Sequence, residues 1–514
     1  MSSKSNLPLI FMILDGWGLA QKNRGNAIEL AKKPNYDFLI KKYPSTSLFA
    51  HGHHVGLPDL QVGNSESGHM NIGAGKVVVQ DSVIISKAIK NGTFYKNPAF
   101  IQLIKHVNSN ESDLHLMGLI SLHSSPHMSL EHLLALTKLV CKQCKRIYLH
   151  LFTDGRDSPQ FAAADILRQV QKKLPENAFI ASLIGRYFAM DRNKKWERTQ
   201  KAYEMLTSGQ GEYFGNFDKA ILHSYNRGLT DEFLEPSLIL NGRKKTVLIK
   251  DNDGVIFFNL RSDRARQLAK AFVQKDFNQR NPKSFRRKKA LKNLSFVALT
   301  DFGPDLDHIL TAFPSITLKN TMPKVLENLR QVYVAETEKY AHITYFLNGG
   351  SDVPVNGEDR IKIPSPNVRS YDLKPEMSAY KITDKILDLL SKRQYDYFAV
   401  NFANPDMVGH TGNLDAAVKA ICAVDKCVGA IYKRIKAMGG SCVISADHGN
   451  AEKMIDLKTG EKYTEHTTNK VPFIVVSSGK QFKLKSGGRL ANVLPTILRL
   501  LDQGDHKIRT KSLT

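Results

Sequence analysis

Short apolar runs that end on acidic or imidazole side chains recur along this 514-residue chain. Leu7–Leu14 runs straight into Asp15, Tyr395–Phe402 precedes Asp406 and His410, and Ser441–Ser445 precedes Asp447 and His448. Runs of this length, rich in branched and aromatic residues, predict strands buried on both faces. Another strand is expected over Val471–Ser477, just after His466. Elsewhere the apolar period lengthens. Leu414, Val418, Ile421, Val424, Val428, Ile431, Ile435 and Met438 share one stripe, while Lys419, Lys426, Lys433 and Arg434 fall largely outside it. That spacing predicts an amphipathic helix. Strand-like and helical runs alternate from end to end, which predicts an α/β fold and excludes a repeat or all-β architecture.

In an open α/β sheet the active site lies beyond the carboxyl ends of the strands. Asp15, Asp406, His410, Asp447, His448 and His466 stand at such ends or beside them. Carboxylate oxygens and imidazole nitrogens together hold divalent Mn or Zn well, so the pattern points to a two-metal centre. Ser65, in Asn64-Ser65-Glu66-Ser67-Gly68-His69, is the hydroxyl such metals would activate. Its place before Gly68 and Gly73-Ala74-Gly75 suggests a tight turn into a helix, where backbone N–H groups favour phosphate. These residues predict metal-dependent phosphoryl chemistry.

The formal net charge of +24 favours anionic partners in general. Its densest run, Arg286-Arg287-Lys288-Lys289 with Lys292, lacks the interleaved aromatics of a base-stacking platform, so no dedicated nucleic-acid partner is expected. No apolar run approaches the roughly 18 residues of a membrane span. Lys4 followed by Leu7–Leu14 has the outline of a short signal peptide, but Asp15 interrupts it at once, and a cytoplasmic protein is expected. The five Cys form no regular framework and fit reduced thiols; Cys141 and Cys144 make a lone Cys-x-x-Cys on a stretch read as helical.

Candidate ligands gather near both ends of the chain, so one site requires the ends to fold together around an inserted middle domain. The expected division is 1–79 with 312–514 for the metal-binding domain and 80–311 for the insert, with hinges near 77–82 and 304–315. The insert carries Arg156 in Thr153-Asp154-Gly155-Arg156-Asp157, Arg186 in Gly185-Arg186-Tyr187, Arg192, and Arg261 and Arg264 in Asn259-Leu260-Arg261-Ser262-Asp263-Arg264. Guanidinium forks match carboxylate and phosphate oxygens, and their scatter over several loops suggests a pocket for a small, highly anionic substrate.

These segments also carry a resemblance. Leu14 to Gly18, Asn64 to Gly75, Asp154 to Asp157, Gly185 to Arg198, Phe257 to Arg264, Ala335 to Tyr340, Asn404 to Gly412, Ala446 to Asn450 and His466 to Asn469 resemble, in unbroken order, the cofactor-independent (2,3-bisphosphoglycerate-independent) phosphoglycerate mutases of the alkaline-phosphatase-like superfamily. The resemblance implies an alkaline-phosphatase-like three-layer α/β sandwich domain with an α/β phosphotransferase domain inserted into it. It implies an isomerase that interconverts 2-phosphoglycerate and 3-phosphoglycerate through a phosphoserine on Ser65, without 2,3-bisphosphoglycerate. One metal would be held by Asp406, His410 and His466 and the other by Asp15, Ser65, Asp447 and His448, with Mn2+ expected and Co2+ or Zn2+ acceptable. Substrate would be met by His127, Arg156, Asp157, Arg186, Arg192, Arg261, Arg264 and Lys339, with Ser65, Asp157 and Lys339 catalytic. A monomer is expected.

Two departures accompany the resemblance. The family's substrate loop reads Ser-Asp-Gly-Gly-Val-His-Ser-His, whereas this chain has Ser121-Leu122-His123-Ser124-Ser125-Pro126-His127-Met128-Ser129, with His123 competing with His127. Ser67 stands where the family has Val, placing a second hydroxyl beside Ser65. The rival readings are a metal-dependent phosphomonoesterase or another phosphomutase of the superfamily, and a basic RNA- or membrane-binding protein on an inactive enzyme fold.

Overall fold

The computed structural model describes residues 7–122, 125–242, 246–315, 318–478, 482–504, 508 and 510–514. The chain forms two compact units, one of residues 1–80 and 317–514 and the other of residues 81–316. Each is built on its own eight-stranded sheet.

In the first unit the strand order is Glu358–Ile363, Gln331–Glu336, Tyr397–Phe402, Leu9–Leu14, Ser441–Ser445, Val471–Val476, Ser45–Phe49 and Gly488–Arg489. The first five are parallel, and Val471–Val476 runs antiparallel to its neighbours. Every residue of Leu9–Leu14 is buried, as a sheet covered by helices on both faces requires. Leu7 is half exposed, so the strand starts two residues later than the apolar run. Register levels the strand ends: Leu14 pairs with Phe402 and Ile13 with Ser445. The residues that follow therefore emerge along one edge. Because Val471–Val476 is antiparallel, its beginning lies at that same edge, which brings in His466.

The long helix runs Leu414–Ala437, opened by Asn413, whose side chain accepts from Ala416 N, and closed at Met438. Ile421, Val424, Val428, Ile431 and Ile435 bury its apolar stripe. A second helix, Ser65–Ala74, is capped by Asn64 and ends at Gly75 in the left-handed region.

In the second unit the order is Ile309–Phe313, Ser295–Thr300, Gly254–Phe257, Leu114–Leu119, Ile147–Thr153, Ala178–Gly185, Ser237–Ile239 and Glu212–Phe214. Ala178–Gly185 with Ser237–Ile239 is its one antiparallel pairing among the described residues. Alternation along the strands separates two cores. Leu114, Leu116, Leu149 and Leu151 belong to one, and Met117, Leu119, Phe152 and Phe257 to the other. The Cys-x-x-Cys does not lie within a helix. The helix Leu130–Val140 closes at Cys141, where Asn177 Nδ2 donates to the Cys141 and Cys144 carbonyls at 3.0 and 2.9 Å and satisfies groups a helix end leaves open. All five cysteines are free thiols.

Candidate active site

At the carboxyl edge of the first unit's sheet, Asp15 follows Leu9–Leu14, Lys339 follows Gln331–Glu336, Asp406 lies in the short helix Asn404–Gly409 after Tyr397–Phe402, and Asp447 and His448 follow Ser441–Ser445. Gly16 makes the approach possible. It sits at φ +76°, and a Cβ there would lie 2.7 Å from the Asp406 Cα. The Lys339 ammonium is buried and spends its three protons on Asp15 Oδ1, Ser65 Oγ and Asp406 Oδ2, each at 2.6 Å. Ser65 Oγ is also 2.9 Å from His448 Nε2 and 3.3 Å from Asp15 Oδ1. Ser67 is turned elsewhere. Its hydroxyl bonds within the capping box, donating to Asn64 O at 3.2 Å, so the second hydroxyl takes no part in this cluster. The helix N-cap is Asn64, and Ser65 is the first helical residue.

Two features suit this cluster to cations. His410 Nδ1 donates to Thr464 O at 2.7 Å and His466 Nδ1 to Gly63 O at 2.9 Å, so their Nε2 lone pairs face each other at 3.0 Å, with Asp406 Oδ1 3.2 and 3.1 Å away. Asp447 Oδ2 is buried 3.1 Å from His69 Nδ1 yet accepts no hydrogen bond, because that nitrogen donates to Ser65 O at 2.8 Å. Convergent imidazole and carboxylate acceptors of this kind fit divalent metal ions. Two compact groups of potential ligands stand out, Asp406 with His448 and His466, and Asp15 with His69 and Asp447. His410 is more exposed than its neighbours.

The electrostatics agree. Burial first, then Asp447 and Asp406, push the Asp15 carboxyl up to about 7 against the opposing pull of Lys339. Burial works against charge on Lys339, but Asp15, Asp406 and Asp447 outweigh it and raise its pKa. Three buried carboxylates around one ammonium leave negative charge uncompensated, which divalent cations would neutralise.

Sequence reasoning passed over the residues that hold this arrangement. Asn401, inside its strand, donates to Asp15 Oδ2 at 2.8 Å and lies 3.0 Å from His69 Nε2. Glu452 is buried and accepts from Gly18 N, Asn450 N, Asn469 Nδ2 and the Thr467 hydroxyl, tying three loops together. The only signal for it was position: it follows Asp447-His448-Gly449-Asn450.

The second unit gathers the arginines. Arg156, Arg186, Arg192, Arg198 and Arg264 line a cavity of about 370 Å³ with Tyr187 and Asn193. Arg198, absent from the expected set, stacks 3.8 Å from the Tyr187 ring centre and bonds Asp191. Burial, then Arg192 and Arg186, lowers the Arg264 guanidinium to about 10, which marks a surplus of positive charge. Arg261, His127 and Asp157 are not among the residues lining that cavity. Arg186 links the two groups, since its buried guanidinium bonds Asp154 Oδ1 at 2.6 Å and Asp157 Oδ2 at 2.7 Å. Ser125 Oγ donates to Asp157 Oδ2 at 3.0 Å, while His127 Nε2 stays 4.0 Å from it. Burial opposes charge on Asp157, but Arg186, by charge and hydrogen bond, and the Ser125 hydroxyl hold its pKa below the ordinary value. Burial, then Arg261 and Arg186, depress His127 to about 3. His123, the competing imidazole, lies outside the described residues.

A description of the metalloenzyme superfamily matches residues 7–503. The 2,3-bisphosphoglycerate-independent phosphoglycerate mutase 1 of Methanosarcina acetivorans is 48% identical over 506 residues, 97% of this chain and 96% of its own. The chain belongs to the 2,3-bisphosphoglycerate-independent phosphoglycerate mutases. Its relative in Clostridium tetani is 46% identical over 497 residues, 96% of this chain and 95% of that one. Among solved structures, Leishmania mexicana phosphoglycerate mutase at low cobalt concentration superposes with a TM-score of 0.79 at 28% identity, covering 99% of this chain and 97% of that one. The α/β architecture expected from the sequence is the one this chain shares with that mutase structure. No helix among the described residues is long and apolar enough to cross a membrane.

Proposed function

We propose that this chain interconverts 3-phosphoglycerate and 2-phosphoglycerate without 2,3-bisphosphoglycerate, through a phosphoserine on Ser65. The observation that carries the reading is the buried Ser65 hydroxyl, in contact with Lys339, His448 and Asp15. Two divalent ions, one held by Asp406, His410 and His466 and the other by Asp15, Ser65, Asp447 and His448, would lower the pKa of the serine hydroxyl and offset phosphate charge. Mn2+ is the proposed metal, with Co2+ and Zn2+ compatible with the same donors.

Ser65 Oγ forms a bond to phosphorus as the bond from phosphorus to the glycerate oxygen breaks. Lys339 stays protonated and offsets charge on the transferring group. The guanidinium groups of Arg156, Arg186, Arg192, Arg261 and Arg264, with His127 as a neutral imidazole, hold carboxylate and hydroxyl oxygens of glycerate. Asp157, kept ionised by Arg186, takes the proton from one glycerate hydroxyl and returns it to the other oxygen, so that none is gained or lost over a cycle. The second hydroxyl then takes the phosphoryl group back from Ser65. Exclusion of water separates this outcome from hydrolysis. The proposed place of action is the cytoplasm, and the proposed working form is a monomer.

The test is conversion of 3-phosphoglycerate with no 2,3-bisphosphoglycerate present, before and after chelation and with Mn2+, Co2+ or Zn2+ restored singly. 2-Phosphoglycerate should appear, vanish on chelation and return with metal. Glycerate and inorganic phosphate as the sole products would make the protein a phosphomonoesterase instead.

A further inference from the structure

The segment between the strand Ser45–Phe49 and the Ser65 helix carries three imidazoles, His51, His53 and His54, followed by Asp59. A 3-10 turn over Gly52–Val55, closed by Gly56 in the left-handed region, presents them together. Gly52 N donates to Gln61 O at 2.9 Å, so the chain doubles back and delivers Asp59 to His53. There His53 Nδ1 donates to Asp59 Oδ1 at 2.6 Å, with both side chains exposed. That bond commits the ring proton to Nδ1 and leaves the Nε2 lone pair facing outward. A carboxylate behind an imidazole is how proteins orient histidines that bind metal.

The other two rings are also placed. His54 stacks on Phe49 with centroids 4.0 Å apart, and its centroid lies 4.0 Å from that of His53. His51 is 6.0 Å from His54 in an edge-to-face arrangement, and its buried Nδ1 has no hydrogen-bond partner. Two imidazoles that share one ion at metal–nitrogen distances of about 2.0–2.1 Å have ring centres about 5–6 Å apart. The His51–His54 spacing is close to that, and His53 with its bonded Asp59, both exposed, can shift together by rotamer changes from its present 4.0 Å centroid spacing to His54 to complete the set. Burial, with His53 next, lowers the pKa of His51, and burial with His53, His51 and Arg489 lowers that of His54. Both rings are therefore neutral and able to coordinate at pH 7. Lys470, whose Nζ lies 4.1 Å from the Phe49 ring centre, and Arg489 add positive charge, and Asp59 is the carboxylate bonded to the cluster. This setting disfavours hard, oxygen-seeking cations and selects ions that bind neutral nitrogen.

We propose that His51, His53 and His54, with Asp59 orienting His53, form a peripheral site for a borderline divalent transition metal ion such as Zn2+, Ni2+ or Cu2+, separate from the centre around Asp406. The site is tied to the segment that leads into the catalytic helix. Val55 O accepts from Asn71 Nδ2 at 3.0 Å, and Gly63 O accepts from His466 Nδ1.

The test uses the full-length, Mn2+-loaded protein dialysed against Zn2+, with bound zinc measured per chain. The double substitution H53A/H54A should hold one zinc fewer than the parent, and its turnover without added zinc should be unchanged. Asp59→Ala should weaken this ion by roughly 10–100-fold. Asp406→Ala should lose metal elsewhere but keep this ion, which separates the proposal from the assignment of the catalytic centre. With Cu2+ as the probe, the nitrogen hyperfine pattern of the parent should lose in H53A/H54A the imidazole couplings that belong to this ion, while those of the centre around Asp406 remain. Equal zinc in the parent and H53A/H54A would overturn the proposal, as would a copper spectrum that the double substitution leaves unaltered.

Discussion

In the metal-free protein the Asp15 carboxyl should contribute a loss of stability as pH rises from 5 to 8. It titrates at about 7 in the folded chain, with burial the largest cause and the charges of Asp447 and Asp406 behind it. An unfolded Asp titrates near 3.9, roughly three units lower. Between those two values the folded state binds the extra proton, so each step up in pH favours unfolding until the folded carboxyl has ionised. Three units correspond to about 4 kcal/mol, an order-of-magnitude figure for a group this deeply buried. Glu336, raised to about 7 by burial, adds slope of the same sign, and His127 and His132, depressed to about 3 and about 4, add slope of the opposite sign below about 6.5, a combined background to Asp15. A difference measurement removes that background: denaturant unfolding of chelated parent and Asp15→Asn at pH 5 and at pH 8. The parent should lose several kcal/mol more than Asp15→Asn across that interval, and saturating Mn2+ should abolish the difference by fixing the carboxylate in its ionised form. Equal pH slopes in the two chelated proteins would refute the charge balance argued for this centre.

Ser65→Ala should abolish mutase turnover while leaving folding and most bound metal intact; because Ser67 is engaged in the helix cap, retention of a substantial fraction of activity in a kinetic assay would contradict the nucleophile assignment. Asp157→Asn should lower kcat by roughly 10²–10⁴-fold with a small change in KM, and a variant with weak binding but normal turnover at saturation would make Asp157 a positioning residue. His127, depressed to about 3, should stay neutral throughout the working range, so replacing it with Gln should leave the acidic limb of the pH–rate profile in place; movement of that limb would show that His127 titrates in turnover. Arg264→Gln, which relieves crowding among the guanidinium groups, should raise KM for phosphoglycerate more than it lowers kcat, as read from initial rates.

The place of Asp15, Asp447 and His448 at one sheet edge was legible because each stands at the end of a short apolar run of plain strand character. Strand ends were less so: Leu7 and Tyr395 extend their apolar runs but lie outside the ladder. The supporting shell was not legible at all. Asn401 sits within a strand and looks like an ordinary alternation, Glu452 looks like a surface acid, and His69 reads as a helix residue. Their roles depend on partners hundreds of positions away, and no local pattern encodes those. The arginines showed their chemistry through residue type, but not their division between a cavity and the Asp157 cluster, which follows from how Arg186 is shared.

The central place of Leu9–Leu14 in its sheet bears on how the chain must be made. Its six buried residues are flanked by strands that begin at Tyr397 and Ser441, so this strand, once made, has neither neighbour until about 390 further residues have been translated. At about 5–20 residues per second, that wait lasts roughly 20–80 s. Residues 81–316, whose sheet draws all its strands from one contiguous stretch, have no such delay and can close while synthesis continues. The nascent protein thus carries an unpaired, wholly apolar hexapeptide beside an already folded unit, a state that calls for chaperone cover and that slower translation would prolong.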